Sequence, residues 1–158
     1  MALTTVERAD PGDLVAMAQC MAIDADTFPH ASARFGTNAE SARVWIARDR
    51  DEGRVLGFLA GRVGGAQLHV EGLAVEVGAR RRGTGRGLLR ACVDGSRDEG
   101  LARVTLHVSV TSLAAVRLYE SEGFEVVREL PGFYPERAFG GETRALAMHL
   151  RLDPGTRA

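Results

Sequence analysis

Lysine is absent from this chain: all 20 of its basic side chains are arginine. That excludes the phosphate-loop lysine of nucleotide-binding folds, the kinase lysine and Schiff-base chemistry. Cysteine is scarce. Cys20 and Cys92 lack metal-ligand spacing and lie in apolar helical patterns, which predicts buried thiols in a reducing compartment rather than a disulfide. No apolar run is long enough to span a bilayer, and Met1–Arg8 lacks a charged start followed by an apolar stretch. A cytoplasmic protein that uses neither a membrane nor a metal is expected. The formal net charge of -1 leaves no general basic surface, which speaks against nucleic acid as the partner.

What the chain does have is one basic stretch, Leu73-Ala74-Val75-Glu76-Val77-Gly78-Ala79-Arg80-Arg81-Arg82-Gly83-Thr84-Gly85-Arg86-Gly87-Leu88-Leu89. It reads as a buried strand, an arginine and glycine loop, and an amphipathic helix. A strand that enters a helix through glycines leaves backbone N–H groups unpaired and aimed at one point, where the helix dipole favours negative charge. Arg80, Arg81, Arg82 and Arg86 add planar forks suited to phosphate oxygens.

The remaining pattern predicts one domain over residues 1–152 and a frayed tail, 153–158. Leu3–Ala9 reads as a first strand. Asp10 and Pro11 mark a helix start, with Leu14, Met17, Ala18 and Met21 as its buried stripe. Between Thr27 and Ser41 the period fails, and the stretch reads equally as a surface connection or a border of a substrate site. Val44–Ala47 and Val55–Ala60 form a hairpin about Asp49–Gly53, and Gln67–Val77 is a strand that Gly72 interrupts, as at a bulge. After the loop, Leu88, Leu89, Cys92 and Val93 define a helix face ending at Gly100. A strand with Val104, Leu106 and Val108 opposite Arg103, Thr105 and His107 follows. Thr111 or Ser112 caps a further helix that closes at Gly123. Phe124–Leu130 and Ala145–Leu152 are the last strands, joined by an aromatic-bearing loop. The fold class is α/β (α+β): a mixed, mostly antiparallel sheet of six to seven strands with helices on both faces.

The run LAVEVGARRRGTGRGLL resembles the acyl-CoA-binding motif of the GNAT superfamily of N-acyltransferases: Gln or Arg, two residues, Gly, one residue, then Gly or Ala. Arg80, Gly83 and Gly85 fit that register and place Leu88-Leu89 on the apolar pair that follows. LAAVRLYESEGFEVV resembles the family's second motif, a helix with Tyr in its last turn before Gly-Phe. The resemblance runs over Gln67–Leu150, and within it TLHVSVTSLAAVRLYESEGF followed by GFYPERAFGGETRALAMHL is most similar to the acetyltransferases of ribosomal-protein N-terminal alanine. The resemblance implies acetyl-CoA as donor, an amine as acceptor, and direct transfer in a ternary complex between monomers or homodimers and their substrates. It implies that the strand Leu73-Ala74-Val75 splays from its neighbour and pairs with pantetheine, that the Arg80–Arg86 loop, including Thr84, holds the pyrophosphate, and that Ser112 and Ala115 face the cofactor. It also implies that Tyr119 protonates the departing thiolate.

The acceptor amine needs a base. His107 stands where the similar alanine acetyltransferases have Glu, and His69 and Glu71 on the preceding strand compete with it. Ser112 replaces the usual Asn, and Val77 a common Pro. Two other binding modes fit poorly: Leu88 occupies the third glycine position of a dinucleotide fingerprint, and no aromatics interleave the arginines as in an RNA-binding segment. A small-molecule amine as acceptor, or a non-catalytic acyl-CoA sensor, remain alternatives to a peptide α-amine.

Overall fold

The computed structural model describes residues 4–10, 12–27 and 40–152. Leu3, Pro11, most of the aperiodic 27–41 stretch and the 153–158 tail lie outside the described residues. In chain order the elements are β1 (Thr4–Arg8), α1 (Leu14–Thr27), β2 (Ala42–Asp49), β3 (Val55–Gly64), β4 (Gln67–Val75), α2 (Thr84–Asp98), β5 (Arg103–Ser109), α3 (Leu113–Ser121), β6 (Glu125–Leu130) and β7 (Ala145–Arg151), with a 3-10 turn at Val77–Ala79. The strands form one seven-stranded sheet in the order β1-β2-β3-β4-β5-β7-β6. Every pairing is antiparallel except β4–β5, which the α2 crossover makes parallel.

Turn chemistry sets the registers. The Asp49 carboxylate accepts the N–H groups of Asp51 and Glu52 in the β2–β3 turn. Gly65 turns β3 into β4 at φ +60°. The bulge expected at Gly72 is there: Ala60 pairs with Gly72 and Gly61 with Val70, which leaves Glu71 as the extra residue of β4.

Two apolar cores flank the sheet. One lies under α2 and α3 and includes Leu68, Leu88, Leu89, Cys92, Val104, Leu106, Tyr119 and Met148. The other lies under α1 and includes Met17, Cys20, Ile23, Ile46, Phe58 and Ala74. Both cysteines are buried free thiols, as predicted. Gly95 lets α2 lie close to the sheet, because a Cβ there would sit 2.8 Å from Trp45 Cζ2.

The stripe predicted for α1 is out of phase. Ala16, Met17, Cys20 and Ile23 are buried, whereas Leu14 is 78% and Met21 52% exposed, and Ala18 is also exposed. This helix is apolar nearly all round, so its period does not select a face; the small Ala16 and Cys20 fit against the sheet where longer side chains would hold the helix off. Its start also differs. Asp13, not Asp10, caps it by accepting the Ala16 N–H at 3.0 Å, while Asp10 accepts from Gly12 in the preceding turn.

Candidate active site

The site grows from a fork between β4 and β5. Their pairing runs from Gln67–Arg103 to Val70–Leu106 and then stops. Beyond it, the Glu76 N–H donates to the Leu56 carbonyl, and Ala74 lies opposite Phe58 in the β3 register. Alternation therefore turns the main-chain groups of Leu73 and Val75 toward the open side. Ala74, expected with them on the free edge, instead faces β3 and buries its methyl in the α1 core. The Val75 carbonyl is taken by Arg80 Nε at 2.9 Å, leaving the Val75 N–H and the Leu73 groups for a ligand strand.

The loop after β4 is a cradle of main-chain donors. Arg81 has φ 63° and Gly83 φ 77°, each left-handed, and together they turn successive N–H groups to one side. The first α2 hydrogen bond runs from Gly87 N–H to the Gly83 carbonyl. Among the described residues, the N–H groups of Arg81, Arg82, Gly83, Thr84, Gly85 and Arg86 donate to no other residue. Gly83 caps the helix and Gly87 belongs to it, in agreement with the Arg80, Gly83, Gly85 register. The Gly85 Cα lies over Leu118 and Val75, with ordinary contacts of 3.8 and 3.9 Å for an added Cβ, so α3 and β4 converge on this helix start. Such a cradle fits the pyrophosphate of coenzyme A, and the free β4 edge fits its amide-bearing arm.

Arg86 differs from expectation. Its guanidinium turns away from the cradle and bonds Ser121 Oγ and Glu122 Oε1, both at 2.9 Å. Arg90 reaches the same carboxylate at 2.8 Å, and Glu122 is only 14% exposed. The side chain of Arg86 thus ties α2 to α3, and only its backbone N–H remains with the loop. Thr84 is likewise turned inward, its hydroxyl donating to the Ala79 carbonyl at 3.4 Å.

Two candidate proton carriers sit on opposite faces of the fork. Tyr119 belongs to the α2/α3 core, its ring 5.8 Å from that of Phe124. Burial, with Tyr134 acting in the same sense, pushes its hydroxyl up to about 12. At neutral pH it is therefore protonated. Ser112 is the N-cap of α3 without a side-chain capping bond, and Ala115 packs against the same core one turn before Tyr119.

His107 is the first β5 residue beyond the last β4 pairing and lies on the other face. Its ring lies between those of His69, 4.8 Å away, and Phe133, 4.7 Å away, each tilted by 58° to it. Burial, then the Arg128 charge, lowers its basicity below that of an ordinary imidazole. His69 is lowered too, by burial and then by His107, and its Nδ1 is 2.7 Å from Thr105 Oγ1. Both rings are neutral at pH 7 and able to accept a proton. Glu71, on the bulge, is ion-paired with Arg62 at 3.4 Å.

The sequence reading missed Phe133 and Tyr134 as site residues. They come from the loop between β6 and β7, where Phe133, Tyr134 and Phe139 meet edge-on in series with centroids 4.8 and 4.7 Å apart. The length of that loop and its three aromatics are the signal in the sequence.

Comparison with known proteins agrees with this construction. Residues 9–124 match the model of the acetyltransferase (GNAT) family. The chain is 29% identical over 111 residues to the [ribosomal protein bS18]-alanine N-acetyltransferase of Escherichia coli, covering 70% of this chain and 74% of that protein. The crystal structure of the Escherichia coli ribosomal-protein-S18-alanine N-acetyltransferase superposes with a TM-score of 0.76 at 24% identity, covering 96% of this chain and 95% of the other. Arabidopsis thaliana NAA60 in complex with a bisubstrate analogue gives a TM-score of 0.79 at 23% identity, covering 96% of this chain and 99% of the other. With a split sheet, a main-chain phosphate cradle and this match over most of its length, the chain belongs to the GNAT family and is an N-acetyltransferase that draws on acetyl-CoA.

Proposed function

We propose that residues 1–152 act as one unit that acetylates a peptide or protein N-terminal α-amine by direct transfer, in the cytoplasm. The observation that carries this reading is the fork, with a neutral imidazole on one face and a protonated phenol on the other. Acetyl-CoA supplies a thioester carbonyl activated toward amine attack. The cradle at Arg81–Arg86 and the free edge at Leu73 and Val75 hold the donor from the α2/α3 side. A main-chain N–H of that edge, held rigid by β3, stabilises developing oxyanion charge, a contact that commonly lowers a barrier by about 2.7–4 kcal/mol.

His107 removes the amine proton on the open face, directly or through a water positioned with His69. Tyr119 returns a proton to sulfur on the opposite face. An α-amine, with a pKa of about 7.7–8.0, suits an imidazole base far better than a lysine amine at about 10.4. The relatives support this acceptor, since the proteins similar in sequence and structure include a ribosomal-protein alanine acetyltransferase. Direct transfer is supported by the thiols: Cys20 and Cys92 are buried and pushed up to about 12, which makes neither a nucleophile.

The test is initial-rate kinetics of thiol release with acetyl-CoA and a panel of N-terminal peptides, amino acids, polyamines and aminoglycosides. Intersecting double-reciprocal lines with a peptide are expected. Parallel lines would defeat direct transfer, and turnover confined to small amines would defeat the α-amine assignment.

A further inference from the structure

Among the described residues, no helix covers the face of the sheet that carries His107 where it crosses β4, β5, β7 and β6. Helix α1 covers this face only over the β2–β4 side, through Ile46, Phe58, Ala60 and Ala74. Beyond it a groove of 330 Å³ is lined by Gln67, His69, Arg103, Thr105, His107 and Arg128, among others. Strand register sets its floor. Gln67, Arg103 and Arg151 form one row, His69, Thr105, His149 and Glu125 the next, and His107, Ala147 and Arg128 the row at the fork.

Charge on this floor is mainly positive. Arg103 and Arg151 are directly opposed across β5 and β7, an arrangement that like charges disfavour. Arg103, Arg128 and Arg151 have no ion-pair partner among the described residues, although Arg43, Arg48, Arg54, Arg62, Arg86 and Arg144 are all engaged by carboxylates. Of the two carboxylates on these strands that share the face, Glu71 is held by Arg62, and the exposed Glu125 lies at the outer edge and pairs with nothing among the described residues. Arg103 and Arg128 therefore line a groove that also holds the proposed base, and the exposed Arg151 stands beside Arg103 on the neighbouring strand.

We propose that this groove is an anion-selecting acceptor site, and that the preferred acceptor is a peptide N-terminus with acidic side chains within its first four residues. The inference rests on the peptide α-amine reading above and names its specificity. From His107 to Arg103 is four strand residues, roughly 13 Å, the reach of an extended peptide of about four residues. With its amine at His107, such a peptide brings its early side chains past Arg128 and its third and fourth residues to Arg103 and Arg151. Guanidinium forks grip carboxylates two oxygens at a time, and a basic acceptor would meet uncompensated repulsion.

The experiment uses the full chain saturated with coenzyme A and fluorescein-labelled, N-acetylated product peptides, so that binding is read without turnover. Three tetrapeptides with alanine first are compared by anisotropy: acidic (Asp and Glu), neutral (Asn and Gln) and basic (Lys and Arg) at the following positions. The acidic peptide should bind at least about tenfold tighter than the neutral one at low salt, the gap closing as ionic strength rises. Arg103→Gln combined with Arg151→Gln should collapse the acidic-to-neutral ratio toward one, with retained thermal stabilisation by acetyl-CoA certifying the fold. Arg128→Gln alone, at the rim, should lower the ratio by a smaller factor. Equal binding of acidic and neutral peptides, or tightest binding of the basic one, overturns the proposal. Displacement by free aspartate as effective as by the acidic peptide also overturns it in favour of a small anionic amine. If the acidic peptide binds selectively but no amine is acetylated, the groove stands and the catalytic reading fails.

Discussion

The proposed donor cradle is built from the backbone of one continuous stretch, Arg81–Arg86, whereas the proposed acceptor face collects side chains from β3, β4, β5, β6 and the loop before β7. The first depends on φ angles: left-handed Arg81 and Gly83 aim N–H groups regardless of what most neighbouring side chains do, and the Arg86 side chain is even turned away to bind α3. The second depends on register, because His69, His107 and Arg128 come together through strand pairing, with Phe133 packed against His107. A cofactor common to many enzymes can be held by local geometry; an acceptor particular to one enzyme needs side chains from distant positions.

Perturbing each side separately breaks or sharpens this contrast. The largest effect is expected where the two sides meet. Tyr119→Phe removes the proton donor and should lower kcat by about 100-fold or more, leaving acetyl-CoA affinity within about twofold. Parent-like turnover would remove Tyr119 from the reaction. On the donor side, Gly83→Val forces a β-branched residue to φ 77°, where L-residues lose roughly 1–2 kcal/mol. Acetyl-CoA Kd by titration calorimetry should rise about tenfold or more, while product-peptide binding moves little. An unchanged Kd would show that the cradle does not depend on that backbone shape.

The acceptor side should respond to pH. Because burial holds His107 below its ordinary value, the acidic limb of kcat/KM should fall below about pH 6.5, and His107→Ala should abolish that limb. The same direction has a stability consequence. His69 and His107 both have folded values beneath their unfolded ones, so their contribution is complete above about pH 6.5 and is lost as pH falls through the folded values. Urea midpoints should decline between pH 7 and 5, and less so in His69→Gln. The smallest functional effect is expected from Gly95→Ala, remote from both sites. Its Cβ meets the Trp45 ring, so the variant should lose about 1–3 kcal/mol of stability with KM values unchanged. A parent-like Tm would mean that α2 lifts from the sheet without penalty.

Legibility in the sequence followed the same division. The strand-loop-helix unit, Tyr119 before Gly-Phe, and the bulge at Gly72 are all encoded in short windows, and each appears at its expected place. The alternation that separates His107 from Val104, Leu106 and Val108 was equally local. Three readings failed for one reason. Helix α1 is apolar on all sides, so its buried face was chosen by the sheet; Arg86 was claimed by Glu122, 36 residues on; and Ala74 was turned toward β3 by register. In each, a partner distant in sequence outweighed a local preference.

By itself the sequence determined the proposed donor half of the site: glycines that permit left-handed angles, apolar pairs that anchor α2, and a tyrosine in the last turn of α3. These are properties of consecutive residues, and backbone sterics enforce them wherever the chain sits. Only the tertiary structure decided the acceptor half. Where β4 and β5 part, which faces Tyr119 and His107 occupy, and which arginines remain without carboxylates among the described residues follow from long-range pairing, which juxtaposes residues that no window of sequence contains.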